Sequence, residues 1–75
     1  MRPLYTIAYE ILNDWKNPSY CAVPYIQALT TLETIDDNYI LESGRSIVAR
    51  FLANAGTWRG ETAKRIKAEL KSMIK

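Results

Sequence analysis

An all-α fold, a compact bundle of about four short helices in a single domain over residues 1–75, is what three features of the sequence predict. Apolar residues recur at three- and four-residue spacing in four separate segments. Proline or glycine punctuates the joins between those segments. Nearly half of the chain, 48%, is apolar and 11% is aromatic, enough to pack a core and too much for a disordered chain. At 75 residues the domain sits near the lower size at which one core folds without metals or disulfides.

The first helix is expected from about residue 3 to 16. Leu4, Ile7, Ala8, Ile11, Leu12 and Trp15 share one face, and Pro3 suits a first turn. Asn17-Pro18 stops it, because proline disfavours helical geometry in the residue before it. Pro24 opens a second helix with Tyr25, Ala28, Leu29 and Leu32 inward, ending near Ile35. Thr30 and Thr31 lower its intrinsic propensity, so packing must hold it. Asp36-Asp37-Asn38 reads as a polar turn. Tyr39, Ile40 and Leu41 fit either a short extended piece or an early helical turn. Ser43 is an N-cap for a third helix to about Asn54, with Ile47, Val48, Phe51, Leu52 and Ala55 on its apolar stripe. Ala55-Gly56 supplies the stop. Thr57 then caps a fourth helix from about Trp58 to Ile74, with Ala63, Ile66, Leu70, Met73 and Ile74 inward.

Charge is distributed unevenly along the chain. Up to Ser43, Arg2 and Lys16 stand against Glu10, Asp14, Glu33, Asp36, Asp37 and Glu42, a net of −4. From Gly44 on, Arg45, Arg50, Arg59, Lys64, Arg65, Lys67, Lys71 and Lys75 stand against Glu61 and Glu69, a net of +6. Such an asymmetry can steer association with a charged partner.

Several chemistries find no support. Gly56 and Gly60 precede a basic helix, but only three residues separate them and Glu61-Thr62 follow. A phosphate loop needs four residues between its glycines and then Lys-Ser/Thr. With no histidine and one cysteine, Cys21, neither a disulfide within the chain nor the usual zinc ligand sets can form. No nucleophile has a visible base partner, so no catalytic, cofactor-binding or metal-binding residue is assigned. Glu33, Asp36, Asp37 and Glu42 lack the alternating ligands and central glycine of a calcium loop and read as a solvated turn. The amino-terminal stretch, interrupted by Glu10 and Asp14, does not read as a signal peptide. No apolar run is long enough to span a bilayer, so a cytoplasmic protein is expected.

Two surfaces remain as candidates. Trp58 either folds back beneath Ala55 as a staple-like core contact, the reading we favour, or faces out. Outward, the Trp58-Arg59 pair has the residue chemistry of protein-binding hot spots. The five tyrosines cannot all be buried in so small a core, so Tyr20 and Tyr39 join Trp58 and Arg59 as candidate partner-binding residues. The alternative is a nucleic-acid surface formed by Arg59, Lys64, Arg65, Lys67 and Lys71. Against it, Leu52 and Thr62 stand where a helix-turn-helix wants a small and an apolar residue. Lysines beside a core-facing stripe also drape their stems over it. A third reading is a structural homo-oligomer, in which apolar helix faces left uncovered in one copy pair with another.

The segments DWKNPSYCAVPYIQAL and SGRSIVARFLANAGTWRGETAKRIKAEL resemble small tailed-bacteriophage proteins that carry "DWKN…VPY", "SIV…FL" and "WRG…A…IK.EL" elements over most of their length. Those proteins have no agreed activity, so the resemblance gives no residue a role. It implies a phage accessory protein in the cytoplasm of the bacterial host, binding and modulating a host or defence protein.

Overall fold

The computed structural model describes residues 2–75. Helix α1 spans Leu4–Asp14, with Leu4, Ile7, Ala8 and Ile11 buried on one face. Its N-cap, Pro3, has no side-chain donor or acceptor to offer. The first amides are satisfied instead by distant backbone: Leu4 and Tyr5 donate to the carbonyls of Glu33 and Leu32 at 2.8 and 2.9 Å. Helix α1 therefore starts where the chain after the second helix passes it. Leu12, expected inward, is 40% exposed.

Helix α2, Val23–Leu29, carries Pro24 in its first turn and ends six residues before the expected Ile35. The hydroxyls of Thr30 and Thr31 donate to the carbonyls of Gln27 and Ala28 at 2.6 and 2.8 Å, and the amides of Thr31 and Leu32 turn to three-residue spacing. Those side chains compete for the carbonyls that would carry the helix onward. Ile26 is buried, whereas Tyr25, expected inward, is half-buried.

Two short antiparallel strands follow, β1 (Asn38–Tyr39) and β2 (Glu42–Ser43), with Asn38 opposite Ser43 and Tyr39 opposite Glu42. Of the two readings open for Tyr39, Ile40 and Leu41, Tyr39 is extended and Ile40-Leu41 form a two-residue hairpin loop. Asp37 ties down the approach, its carboxylate accepting the amides of Glu33 and Thr34 at 3.0 and 3.1 Å.

Helix α3, Gly44–Ala53, begins as expected on the Ser43 cap, whose Oγ accepts the Ser46 amide at 3.2 Å. Gly44 is where the hairpin and the preceding loop close on the bundle. A Cβ there would lie 2.7 Å from the Thr34 carbonyl oxygen and 2.9 Å from the Ile35 Cα. The third helix stops at Asn54, and Gly56 does not take the left-handed conformation of a C-terminal glycine cap.

Helix α4 spans Glu61–Ile74 and starts three residues later than expected. Thr57 is not its cap. Residues 56–60 form a turn that carries Trp58 into the core, and Gly60, at φ 115°, supplies the backbone reversal that only glycine adopts readily. Glu61 then complements the helix dipole. Ala63, Ile66, Leu70 and Met73 are buried, and Ile74 is partly so.

The principal helix contacts run α1 to α2, α2 to α3, α3 to α4 and α4 back to α1. Nineteen apolar residues form one core, with no buried polar residue among those described. Helices α3 and α4 are antiparallel: Arg45, at the start of α3, donates to the Ile74 carbonyl at 2.8 Å, while Phe51, near its end, meets Trp58 ahead of α4. The molecule thus has two ends, one at the hairpin and one at the turn before α4, in an envelope of 29 × 24 × 19 Å.

Candidate interaction surfaces

The turn before α4 is organised by aromatic packing. Trp58 stacks on Trp15, with centroids 5.6 Å apart and planes 10° from parallel, and Phe51 sets its edge toward both rings at 6.4 and 6.2 Å. The indole N–H of Trp58 donates to the Asp14 carboxylate at 2.8 Å, so its one polar atom is satisfied as burial requires. At 2% exposure Trp58 is a core residue. That corrects its place among the candidate partner-binding residues: an anchor already seated in its own core offers nothing to a partner.

Arg59, next to it, is exposed. Tyr20 is 91% exposed, and Ser19 beside it donates to the Asn54 carbonyl at 2.9 Å. Tyr20 and Arg59 therefore lie at the same end of the bundle, the C-terminal end of α3. Tyr39 lies at the other end, half-buried against the core.

The basic residues of α4 divide in the same way. Arg65 pairs with Glu10, and Arg2 bridges Glu10 at 2.8 Å and Glu69 at 2.6 Å, so a four-residue ion cluster fastens α1 to α4. Hydrogen bonding to Arg2, then to Arg65, holds the Glu10 carboxyl below its ordinary range; the Arg2 guanidinium does the same for Glu69. Lys67 donates to the Trp58 carbonyl at 2.6 Å and sits 5.9 Å from the indole centroid. Burial lowers its ammonium pKa, helped by Lys71 and Arg59. Arg65 and Lys67 thus have internal partners. Arg59, Lys64 and Lys71 are exposed with no ion pair among the described residues.

Trp58, Arg59, Gly60, Ala63, Lys64 and Lys67 line an open groove of about 330 Å3. Its accessible lining is mostly apolar, formed by Gly60 and the side-chain stems of the basic residues, with the buried Trp58 and Ala63 beneath. Three cations form its rim, and no carboxylate lines it.

At the opposite end lie the most exposed aliphatic side chains among the described residues, at positions that no sequence motif marks as a site. Ile40 and Leu41, the two loop residues of the hairpin, are 81% and 95% exposed. Ile40 has φ 56° and is the only described residue other than glycine with positive φ. A two-residue loop with positive φ at its first position and not at its second ordinarily takes glycine first, and a β-branched residue there is strained. The available signal was the triplet Tyr39-Ile40-Leu41 between two polar stretches, continuing neither neighbouring helical stripe. Acidic residues surround it. Glu33, Asp36 and Asp37 are exposed on the approach, and Glu42 holds Ser46 and Arg50 at 3.2 and 3.4 Å. A third exposed apolar strip, Tyr5, Tyr9 and Leu12, runs along the outer face of α1.

Among the described residues, no three carboxylates or thiols converge as a metal site, and no helix is long and apolar enough to cross a membrane. In comparisons with known proteins, no family model matches the chain, and no curated protein or solved structure does.

Proposed function

We propose that this protein is a small, non-enzymatic protein-binding module that acts by stoichiometric capture of a partner, with the hairpin tip as its anchor. The resemblance to tailed-bacteriophage accessory proteins supports a reading in which it acts in the bacterial cytoplasm on a host or defence protein that it modulates. The observation that carries the reading is Ile40-Leu41: two large aliphatic side chains side by side at 81% and 95% exposure, on a backbone strained to hold them there. Isolated exposed apolar residues are ordinary. A paired, projecting one on strained backbone is the kind of outlier from which function is inferred. Tyr39 adds an aromatic shoulder behind the tip. Tyr20 and Arg59, at the far end, belong to a separate surface.

The test is affinity capture from a nuclease-treated bacterial lysate, with the wild-type chain and the Ile40→Ser/Leu41→Ser variant side by side. A protein retained by the wild type, lost with the variant, and bound by the purified chain at one-to-one stoichiometry supports the reading. Identical captured sets, or capture that disappears on nuclease treatment, would count against it.

The nucleic-acid alternative rests on three exposed cations, Arg59, Lys64 and Lys71. Three phosphate contacts give a logarithmic salt slope of about −3. Absence of duplex binding by fluorescence anisotropy at low salt eliminates it.

A further inference from the structure

The hairpin tip and the groove before α4 are complementary in shape and charge, and one chain cannot bring them together. The tip projects two four-carbon side chains from an acidic approach, Glu33, Asp36 and Asp37. The groove offers a mostly apolar lining around Gly60, bordered by the cations Arg59, Lys64 and Lys67. Its volume of about 330 Å3 is at the small end of ligand pockets, which run from about 300 to 1,000 Å3. That suits a pair of aliphatic side chains better than a folded element. Of the neighbouring charges of the wrong sign, Glu61 stands exposed next to Gly60, and three others are engaged within the chain. Asp14, near the groove, accepts the Trp58 indole. Arg50, near the hairpin, pairs with Glu42, and Arg45 donates to the Ile74 carbonyl at the end of α4. The two features sit at opposite ends of α3, a ten-residue helix about 15 Å long.

We propose that the occupant of the groove is the Ile40-Leu41 tip of a second copy of this chain, so that the protein self-associates head to tail. The inference shares with the proposed function only the premise that the tip is a contact surface. Because tip and groove are different patches, the contact is heterologous. In an open chain every added copy leaves one free tip and one free groove; closure gives a ring, of which a reciprocal pair is the smallest. The contact area is well below the roughly 1,200 Å2 of stable interfaces, so association is weak and fast, visible only at high protein concentration. Self-association and capture of a foreign protein compete for one tip. A partner with a better-fitting slot dissolves the chains.

Sedimentation velocity tests this up to millimolar protein, using the wild type, a tip variant (Ile40→Ser/Leu41→Ser) and a groove variant (Arg59→Glu/Lys64→Glu). All four substituted positions are exposed, and circular dichroism melting checks that both variants fold. The wild type is expected to gain mass with concentration and to lose it with added salt. Each variant alone should associate at least ~10-fold more weakly. Mixed one to one, they should form a dimer and stop there, since the tip variant keeps a working groove and the groove variant a working tip. The inference is overturned by a monomeric wild type at every concentration. It is overturned equally by variants that self-associate like the wild type, as pairing through the Tyr5, Tyr9 and Leu12 strip would give, or by a mixture that stays monomeric. None of these results bears on the lysate capture, which reads a foreign protein at concentrations too low for self-association.

Discussion

At the C-terminal end of α3, Trp58 lies 2% exposed between Trp15 and Phe51, its indole N–H bonded to Asp14 and its carbonyl to Lys67. At the N-terminal end, Ile40 and Leu41 stand in solvent on a loop with one residue at positive φ. Both regions are short connections of irregular backbone between elements, and both carry large apolar side chains. One connection turns its apolar residue inward and gives its amide, indole N–H and carbonyl each a partner; the other turns two outward and bears backbone strain. Folding alone accounts for the first arrangement, through burial of apolar area and hydrogen-bond satisfaction. It gives no reason for the second. On the proposed reading, function lies at the hairpin end and stability at the tryptophan end, and substitutions should separate the two.

The largest effect is expected at the stabilising end. A 75-residue domain has a total stability of about 4 to 11 kcal/mol, and replacing a buried tryptophan by alanine costs about 3 to 5 kcal/mol. Trp58→Ala should therefore leave the chain close to unfolding, with its near-ultraviolet dichroism lost and its urea midpoint collapsed. The Ile40→Ser/Leu41→Ser variant should shift the midpoint by no more than about 0.5 kcal/mol per site, as surface substitutions do. Equal losses from the two would erase the distinction between the ends.

Gly44→Ala comes next, and its sign is informative. Alanine in a helix is ordinarily worth about 1 kcal/mol over glycine. Here the added Cβ meets backbone of Thr34 and Ile35 at 2.7 and 2.9 Å, and overpacking of that kind costs about 1 to 3 kcal/mol. Net destabilisation in urea unfolding is the expected outcome; a gain would mean the loop yields and the hairpin is not clamped to α3. A smaller effect of opposite sign is expected at Ile40. Left-handed backbone costs a residue with a Cβ about 1 to 2 kcal/mol, and glycine gives back part of that gain through the freedom of the unfolded chain. Ile40→Gly should raise stability by up to about 1 kcal/mol while weakening every contact made by the tip. A variant that is both more stable and poorer at binding is the signature of strain kept for function.

These two ends were not equally legible in the sequence. Three-four spacing identified the buried faces of α1, α3 and α4 almost residue for residue, because Ile7, Ile11, Ile47, Phe51, Ile66 and Leu70 each sit on one unbroken stripe. It also gave the Ser43 cap and favoured an inward Trp58. What it could not supply were the long-range partners. Trp58 meets Asp14 across 44 residues, and the late start of α4 follows from that insertion, which no local rule contains. The early end of α2 depends on hydroxyls choosing backbone carbonyls over solvent. For the candidate site, composition requires that some tyrosines be exposed, and Tyr20 is one; it leaves the exposure of Arg59 open. The hairpin tip went unread because its loop lacks the Asn-Gly or Gly-first pairs that mark two-residue turns. A strained turn is by definition one whose sequence argues against it.

The smallest effect concerns the ion cluster that joins α1 to α4 away from both ends. Glu10 and Glu69 have folded-state pKa values below their ordinary 4.5, first through hydrogen bonds to Arg2. Carboxyls with depressed folded pKa values bind fewer protons than the unfolded chain, so their contribution is fully present above pH 4.5 and is lost as pH falls through the folded values. Arg2 and Arg65 are 36% and 54% exposed at their side chains, and solvent screening holds each pair to about 0.2 to 1 kcal/mol. Stability should be level from pH 7 to 5 and decline below 4.5, while Glu10→Gln/Glu69→Gln lowers it at pH 7 and flattens that decline. Asp37, lowered by the amides of Thr34 and Glu33, titrates at the hairpin end and supplies the residual acid dependence of the double variant. Urea midpoints at pH 7, 4.5 and 3 decide the matter. An acid decline of the same size in both proteins would move the titrating groups away from the α1–α4 seam and toward the hairpin.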